Sequence, residues 1–409
     1  PRSSSERYTF PAGESHILLN LGEGLTNESG AWVRRVSDTE VEGMKLLGTF
    51  CYNPQAVFPV YFVMRVSKRP AATGFWKKQP PKQGVEAEWD KDAGNYKLYT
   101  QYGKDIAGDD VGVWFSYDMQ PGEQVEVRMG VSFVSAENAR LNLEAEQQGR
   151  SFDDIRAAAR RTWNDDLGRI RVEGGTEAQK KVFYTGLYHA LIHPNVLSHV
   201  NGESPAMESA EIRTAEGNRY TVFSLWDTYR NLHQLLTLVY PERQLEMVRS
   251  MVGMYREWGW LPKWELYGRE TFTMEGDPSI PVIVDTWMKG LRDFDMDAAY
   301  EAMRKSATTP GARNRMRPDI DPYIEKGYVP LGFYARDLSG DNSVSHALEY
   351  YIADHALSLL ADSLGKKDDA ALFRARSLGY KNYYSTESGT FRPITKEGKF
   401  LTPFDPRQG

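Results

Sequence analysis

The feature that most constrains this chain is a change of hydrophobic period at Ser135. Before it, apolar and polar residues alternate in short runs such as Ser15-His16-Ile17-Leu18-Leu19-Asn20, the ten residues from Val57 to Val66, and Val125 to Val134. These runs are rich in β-branched and aromatic residues and are bounded by Gly, Pro and Asn clusters, which predicts an antiparallel β-sandwich. Pro59 lacks a backbone N–H, so its strand is expected to begin there or to lie at an edge. After Ser135 the apolar residues recur at helical spacing. Helices are expected over 136–148 and 151–167, the second opened by Ser151 as N-cap with Asp153 and Asp154 in its first turn. Further helices are expected over 177–193, 225–239, 242–258, 280–292, 344–364 and 368–384. Long helices with no strand pattern between them predict an antiparallel helical array, not a parallel α/β sheet. The reading is therefore a sandwich at 1–135, a helical linker at 136–174 and a helical domain at 175–409.

Composition narrows the class of partner. The chain has 409 residues with 50 Lys and Arg against 56 Asp and Glu, for a formal net charge of -6. No basic block is long enough to follow a phosphate backbone, so nucleic acid is not an expected partner. No run approaches the roughly 18 apolar residues that a membrane-spanning helix needs, so no membrane span is expected. The single cysteine, Cys51, excludes an intramolecular disulfide framework and Cys-rich metal sites. Ten Trp and 23 Tyr supply flat apolar surfaces that suit sugar rings, although any one of them is also at home in a core.

Three segments carry candidate chemistry. In Phe223-Ser224-Leu225-Trp226-Asp227-Thr228-Tyr229-Arg230, Trp226 and Arg230 are four apart on a predicted helix with Asp227 beside them. A sugar needs an apolar plate under its C–H face and charged groups that grip its hydroxyls, and this set has both. An internal Asp227–Arg230 ion pair at a helix start is the structural alternative. In Trp258-Gly259-Trp260-Leu261-Pro262-Lys263-Trp264-Glu265-Leu266, Gly and Pro break a helix beside three tryptophans and Glu265, a composition that suits a cleft wall. In Met274-Glu275-Gly276-Asp277-Pro278, acids meet a loop-to-helix junction, where Asp277 as a helix cap is the structural alternative, and Asp285 inside the following helix should have a partner. Asp293 to Asp297 imitates an EF-hand, but Ala298 and Arg304 occupy its Gly and Glu positions, so a helix N-terminal acid cluster is expected. Gly22 to Asn27 lacks the helix that a nucleotide-binding turn requires. His189 and His193 show no recognised metal motif and are expected to pack.

Taken together, Ser224 to Arg230, Gly259 to Leu266, Gly276 to Asp285, Ser343-Val344-Ser345-His346-Ala347-Leu348-Glu349-Tyr350 and Gly130 to Ala139 resemble glycoside hydrolase family 92 in order and spacing. The resemblance implies a sandwich followed by an (α/α)6 helical toroid, here partial. It also implies a secreted or periplasmic, calcium-dependent exo-α-mannosidase that removes terminal mannose from glycans with inversion. Inversion uses a general acid and a general base separated by room for a water. By the resemblance, Asp227 and Arg230 bind the terminal sugar with Trp226 and Trp264 shaping the pocket, while Glu265, Glu275 and Asp277 are only candidate pocket carboxylates. The general acid, the paired aspartates for the base and most calcium ligands are expected C-terminal of Gly409, so no catalytic residue or metal ligand is named and residues 1–409 alone are expected to be inactive. Two alternatives stand beside this reading: another sandwich-plus-toroid carbohydrate enzyme, glucoamylase-like or a phosphorylase, and a non-catalytic glycan-binding protein.

Overall fold

The computed structural model describes residues 1–24, 30–48, 53–78, 96–100, 103–215, 217–333 and 342–407. Cys51 and the Leu25–Asn27 part of the glycine-rich loop lie outside the described residues. Two compact units are present: residues 1–184 with 196–205 and 210–216, and residues 185–195 with 206–209 and 217–409.

The first unit is antiparallel. Its strands are β1 (Ser3–Thr9), β2 (Gly13–Asn20), β3 (Ala31–Arg35), β4 (Glu40–Gly48), β5 (Val57–Val66), β6 (Ala72–Lys78), β7 (Tyr96–Tyr99), β8 (Asp105–Gly108), β9 (Val111–Met119) and β10 (Gln124–Ser132). They form a six-stranded sheet in the order β1-β10-β5-β4-β3-β8 and a four-stranded sheet in the order β2-β9-β6-β7. The alternation of the strands delivers Val33, Val41, Phe62, Met64, Val113, Phe115, Tyr117 and Val125 to one buried cluster. Pro59 corrects the expectation attached to it, since its strand begins at Val57 and lies inside the sheet between β10 and β4. The proline is tolerated because pairing with β10 ends at Ser132↔Tyr61, leaving Pro59 opposite Leu46 of β4 only.

Helix α1 (Ala136–Gln147) is capped by Ser135, whose side chain accepts from the Asn138 N–H, and it lays Ala139 and Leu143 on Val63 of β5. Helix α2 (Phe152–Leu167) starts with a reciprocal capping box between Ser151 and Asp154. Residues 196–205 return to this unit, where buried His199 meets Ser132 Oγ at 2.9 Å and Asn142 Nδ2 at 3.0 Å.

After α3 (Glu177–Ala190) come the short strands β11 (Asn195–Val196), β12 (Glu203–Pro205), β13 (Ile212–Thr214), β14 (Tyr220–Thr221) and β15 (Phe223–Ser224). The helical unit then holds α4 (Leu225–Thr228), α5 (Leu232–Val239), α6 (Pro241–Trp258), α7 (Ser279–Met288), α8 (Met296–Thr308), α9 (Ile320–Lys326), α10 (Ser343–Ser363) and α11 (Lys367–Ser377). Between α6 and α7, strands β16 (Trp264–Leu266) and β17 (Arg269–Glu270) join β15 in a small sheet. Helix α6 shows how sequence sets its ends: Pro241 occupies the first turn, where no N–H is needed, and Gly259 at φ 89 closes the C-terminus with its N–H on the Tyr255 carbonyl. Asp295 caps α8 by accepting from the Ala298 N–H, so the acids at 293–297 open a helix. The core of this unit gathers Tyr323, Val329, Ala347, Tyr350, Tyr351 and Tyr383 around α10. An antiparallel β domain followed by a helical domain is thus the architecture. The single helix expected over 225–239 is instead two, α4 and α5, separated at Tyr229–Asn231.

Candidate functional site

The break between α4 and α5 has a tertiary cause. Three side chains of this short segment converge on one carboxylate of α10, that of Glu349. Trp226 donates its indole N–H to Oε1 at 3.2 Å, Arg230 donates from Nη2 to the same oxygen at 3.0 Å, and the Tyr229 hydroxyl donates to Oε2 at 2.7 Å. The Arg230 guanidinium also lies over the Trp226 ring at 4.8 Å and the Tyr229 ring at 5.0 Å. Burial, reinforced by the bond to Glu349, raises the Tyr229 phenol above its ordinary range, so it stays a donor. Gln234 Nε2 completes the break by taking the Tyr229 carbonyl at 2.6 Å, where a continuous helix would have used a backbone N–H.

Trp226 and Arg230 are thus together, although not on one uninterrupted helix. Asp227 is exposed and accepts from the Ser224 hydroxyl, so the internal Asp227–Arg230 ion pair weighed as an alternative is replaced by an Arg230–Glu349 pair. A half-buried indole, an exposed carboxylate and a half-exposed guanidinium therefore lie within five residues, in α4 and just after it.

Trp264 is half-buried on β16, opposite Ser224 of β15, which places it next to the same segment. Glu265, one residue on, points the other way. It is fully buried and accepts from the Thr221 hydroxyl, the Val222 N–H at 3.1 Å and the Gly268 N–H at 2.6 Å. Burial pushes its carboxyl up to about 7 against the opposing pull of these donors. Buried Glu270 plays a matching part, accepting from the N–H groups of Lys263, Trp264 and Phe272. Val222 and Phe272 both have left-handed backbones, at φ 63 and φ 56, which cost energy in residues with a Cβ. Each gives its N–H to one of these two carboxylates, so the buried acids hold strained backbone on either side of the Trp264 strand.

Asp277 is also buried. Its Oδ2 accepts from Ser306 Oγ at 2.6 Å and from Arg317 Nε at 3.0 Å, and Arg317 in turn reaches Asp354 at 2.8 Å. It is a member of a buried ion network and not a side-chain cap, since the residue preceding α7 is Pro278, with no side-chain bond to the helix. Glu275 pairs with His346, whose other ring nitrogen lies 3.2 Å from Asp319. Burial alone would lower the His346 pKa, but its two carboxylate partners outweigh that and raise it. Asp285 has the expected partner, Lys289 at 2.7 Å one turn on.

The structure thus brings Trp226 and Arg230 into contact, with Asp227 exposed in the same turn and Trp264 paired across the small sheet from Ser224, whereas Glu265 and Asp277 present almost no surface. Glu349, His346, Asp319 and Arg317 were not among the sequence-based candidates. The signal for two of them was present: His346 and Glu349 stand three apart in a helix within one of the recognisable motifs. Among the described residues no group of three or more His, Cys, Asp or Glu side chains could hold a metal ion. Also among the described residues, no helix is long and apolar enough to cross a membrane.

Comparison with known proteins places both domains in one family. Residues 138–409 match the family model described as the glycosyl hydrolase family 92 catalytic domain, and residues 1–132 match that of the family's N-terminal domain. A family 92 alpha-mannosidase structure from Bacteroides thetaiotaomicron is 30% identical, with a TM-score of 0.86, and the match covers 100% of this chain and 52% of that one. A family 92 inverting mannosidase from Bacteroides thetaiotaomicron VPI-5482 is 26% identical, also with a TM-score of 0.86 over 100% of this chain and 52% of that one. An uncharacterized secreted glycosidase of Arthroderma benhamiae is 27% identical over 293 residues, which are 69% of this chain and 33% of the relative. The chain thus spans about half the length of the two solved relatives and a third of the curated one. With both family domains matched along nearly its whole length, the chain belongs to glycosyl hydrolase family 92.

Proposed function

We propose that this chain is part of an exported exo-α-mannosidase that hydrolyses terminal α-mannosides of glycans with inversion. The observation that carries the reading is the convergence of Trp226 and Arg230 on Glu349 with Asp227 exposed beside them. In this arrangement the indole face not covered by the Arg230 guanidinium accepts the C–H face of a pyranose, Asp227 accepts from vicinal hydroxyls and the other N–H groups of Arg230 donate to ring substituents. Support for mannose comes from solved relatives, one of which is described in complex with mannoimidazole. Support for export comes from the fungal relative described as secreted.

Inversion asks for an acid and a base on carboxylates roughly 6.5–9.5 Å apart with a water between them. Calcium dependence is what the resemblance to family 92 implies. The test is an assay of the protein at its natural length on a panel of α-mannosides and α-glucosides, followed by proton NMR of the first sugar released. The expected result is mannose released as the β-anomer, with activity lost on chelation and restored by calcium. Release of glucose, or of α-mannose, overturns the reading of substrate or stereochemistry, and chelator-insensitive turnover removes calcium from it. Binding of mannosides without turnover identifies a glycan-binding protein instead.

A further inference from the structure

Resting on that reading of the site, we infer that Glu349 is its positioning residue, the group that aims the sugar-binding side chains without touching the sugar. Both carboxylate oxygens are occupied. Oε1 holds Trp226 and Arg230, and Oε2 holds Tyr229, so three consecutive-turn donors are tied to one point on α10. The Glu349 side chain is only 14% exposed while that of Arg230 is 47% exposed, which puts the anchor inside and the working groups outside.

Three features make this more than an incidental surface pair. The donors lie 119 to 123 residues away in sequence, so the contact ties the α4–α5 break to a different helix. The bond to Trp226 fixes the rotation of the indole plane, and the bond to Arg230 uses one of five guanidinium N–H groups while leaving the others available. The loop carrying Gly276 packs on the stem of Glu349, so closely that a Cβ on Gly276 would lie 2.5 Å from the Glu349 Cβ. A carboxylate so held sets the angle between a stacking plate and a charged fork, and that angle decides which hydroxyl configuration fits. Glu349 therefore acts through Trp226 and Arg230.

The test is calorimetric titration with mannoimidazole on the protein at its natural length, comparing wild type, E349Q, R230A and the double variant. The amide keeps the shape but loses the charge and half of the acceptor capacity. E349Q is expected to weaken binding about tenfold with a melting temperature within a few degrees of wild type. In the R230A background the same change is expected to cost about threefold or less, because part of what Glu349 aims is already gone. Equal factors in both backgrounds, or unchanged binding by E349Q, would overturn the inference while leaving the functional reading intact. A wild-type protein that does not bind mannoimidazole overturns the functional reading and the inference with it. If E349Q does not fold, Y229F decides: it deletes only the bond to Oε2, and binding loosened about threefold supports the role whereas wild-type affinity overturns it.

Discussion

A Cβ placed on Gly276 would lie 2.5 Å from the Cβ of Glu349, so the loop before α7 and the α10 helix meet with no room for a methyl group. Gly276 also has φ +77, a conformation that residues with a side chain rarely adopt. Gly276→Ala is expected to lower stability by about 2–4 kcal/mol, combining left-handed strain with overpacking. Gly290→Ala provides the control, because Gly290 has φ +93 but nothing within 4 Å of the added carbon. It should cost only about 1 kcal/mol. Urea unfolding of both variants checks this, and equal losses would show that the contact with Glu349 is immaterial.

Glu265 is fully buried and its oxygens meet only donors. In Glu265→Gln an amide –NH2 must face one of those N–H or O–H groups, so a loss of about 2–4 kcal/mol is expected. Because the lost bonds include the one to strained Val222, the damage should appear as local opening of residues 221–223 and 264–268. Hydrogen exchange measures it, and unchanged protection there would contradict the role given to this carboxylate.

His233 is almost completely buried, with its ring nitrogens 3.0 Å from Thr228 Oγ1 and 2.9 Å from Gln244 Oε1, and burial lowers its pKa from 6.5 to about 4. A histidine whose folded pKa is depressed stabilises fully above 6.5, and that contribution is lost as pH falls through 4. The loss should reach up to about 3 kcal/mol across this window. Melting temperatures of wild type and His233→Gln between pH 7 and pH 4 isolate the contribution. The difference between them should shrink on acidification, and parallel curves would rule it out.

Asp227 is the exposed carboxylate of the site. If it grips a sugar hydroxyl, Asp227→Ala at natural length should reduce kcat/KM for an α-mannoside by on the order of 2 kcal/mol, or about 30-fold, with little change in melting temperature. An unchanged kcat/KM would remove Asp227 from the site.

Much of the fold was legible because it follows from short-range pattern. Alternation in Val57–Val66 and Gln124–Ser132 sets which face of each strand is apolar, and Ser135, Ser151 and Gly259 mark helix ends through bonds to residues within a few positions. Elements with weak local signals were not anticipated, among them α9, which is seven residues long, and the two- and three-residue strands around Trp264. The cluster at Trp226, Asp227 and Arg230 was legible in kind, since residue types that stack and grip are visible in any order of reading.

What the sequence by itself determined is therefore the class of each domain and the family. What only the tertiary structure decided is the use made of each carboxylate. Asp227, Glu265, Asp277 and Glu349 have equally acidic side chains, yet one is exposed, one holds strained backbone, one joins the Arg317 network and one anchors three donors from 119 to 123 residues away. The cost of burying a charge and the donors that offset it are properties of what surrounds the group in space, and for Glu265, Asp277 and Glu349 much of those surroundings comes from distant parts of the chain. For the same reason the helix expected through Tyr229 gave way, because three side-chain bonds to Glu349 favour the turn over the intrahelical bonds it replaces.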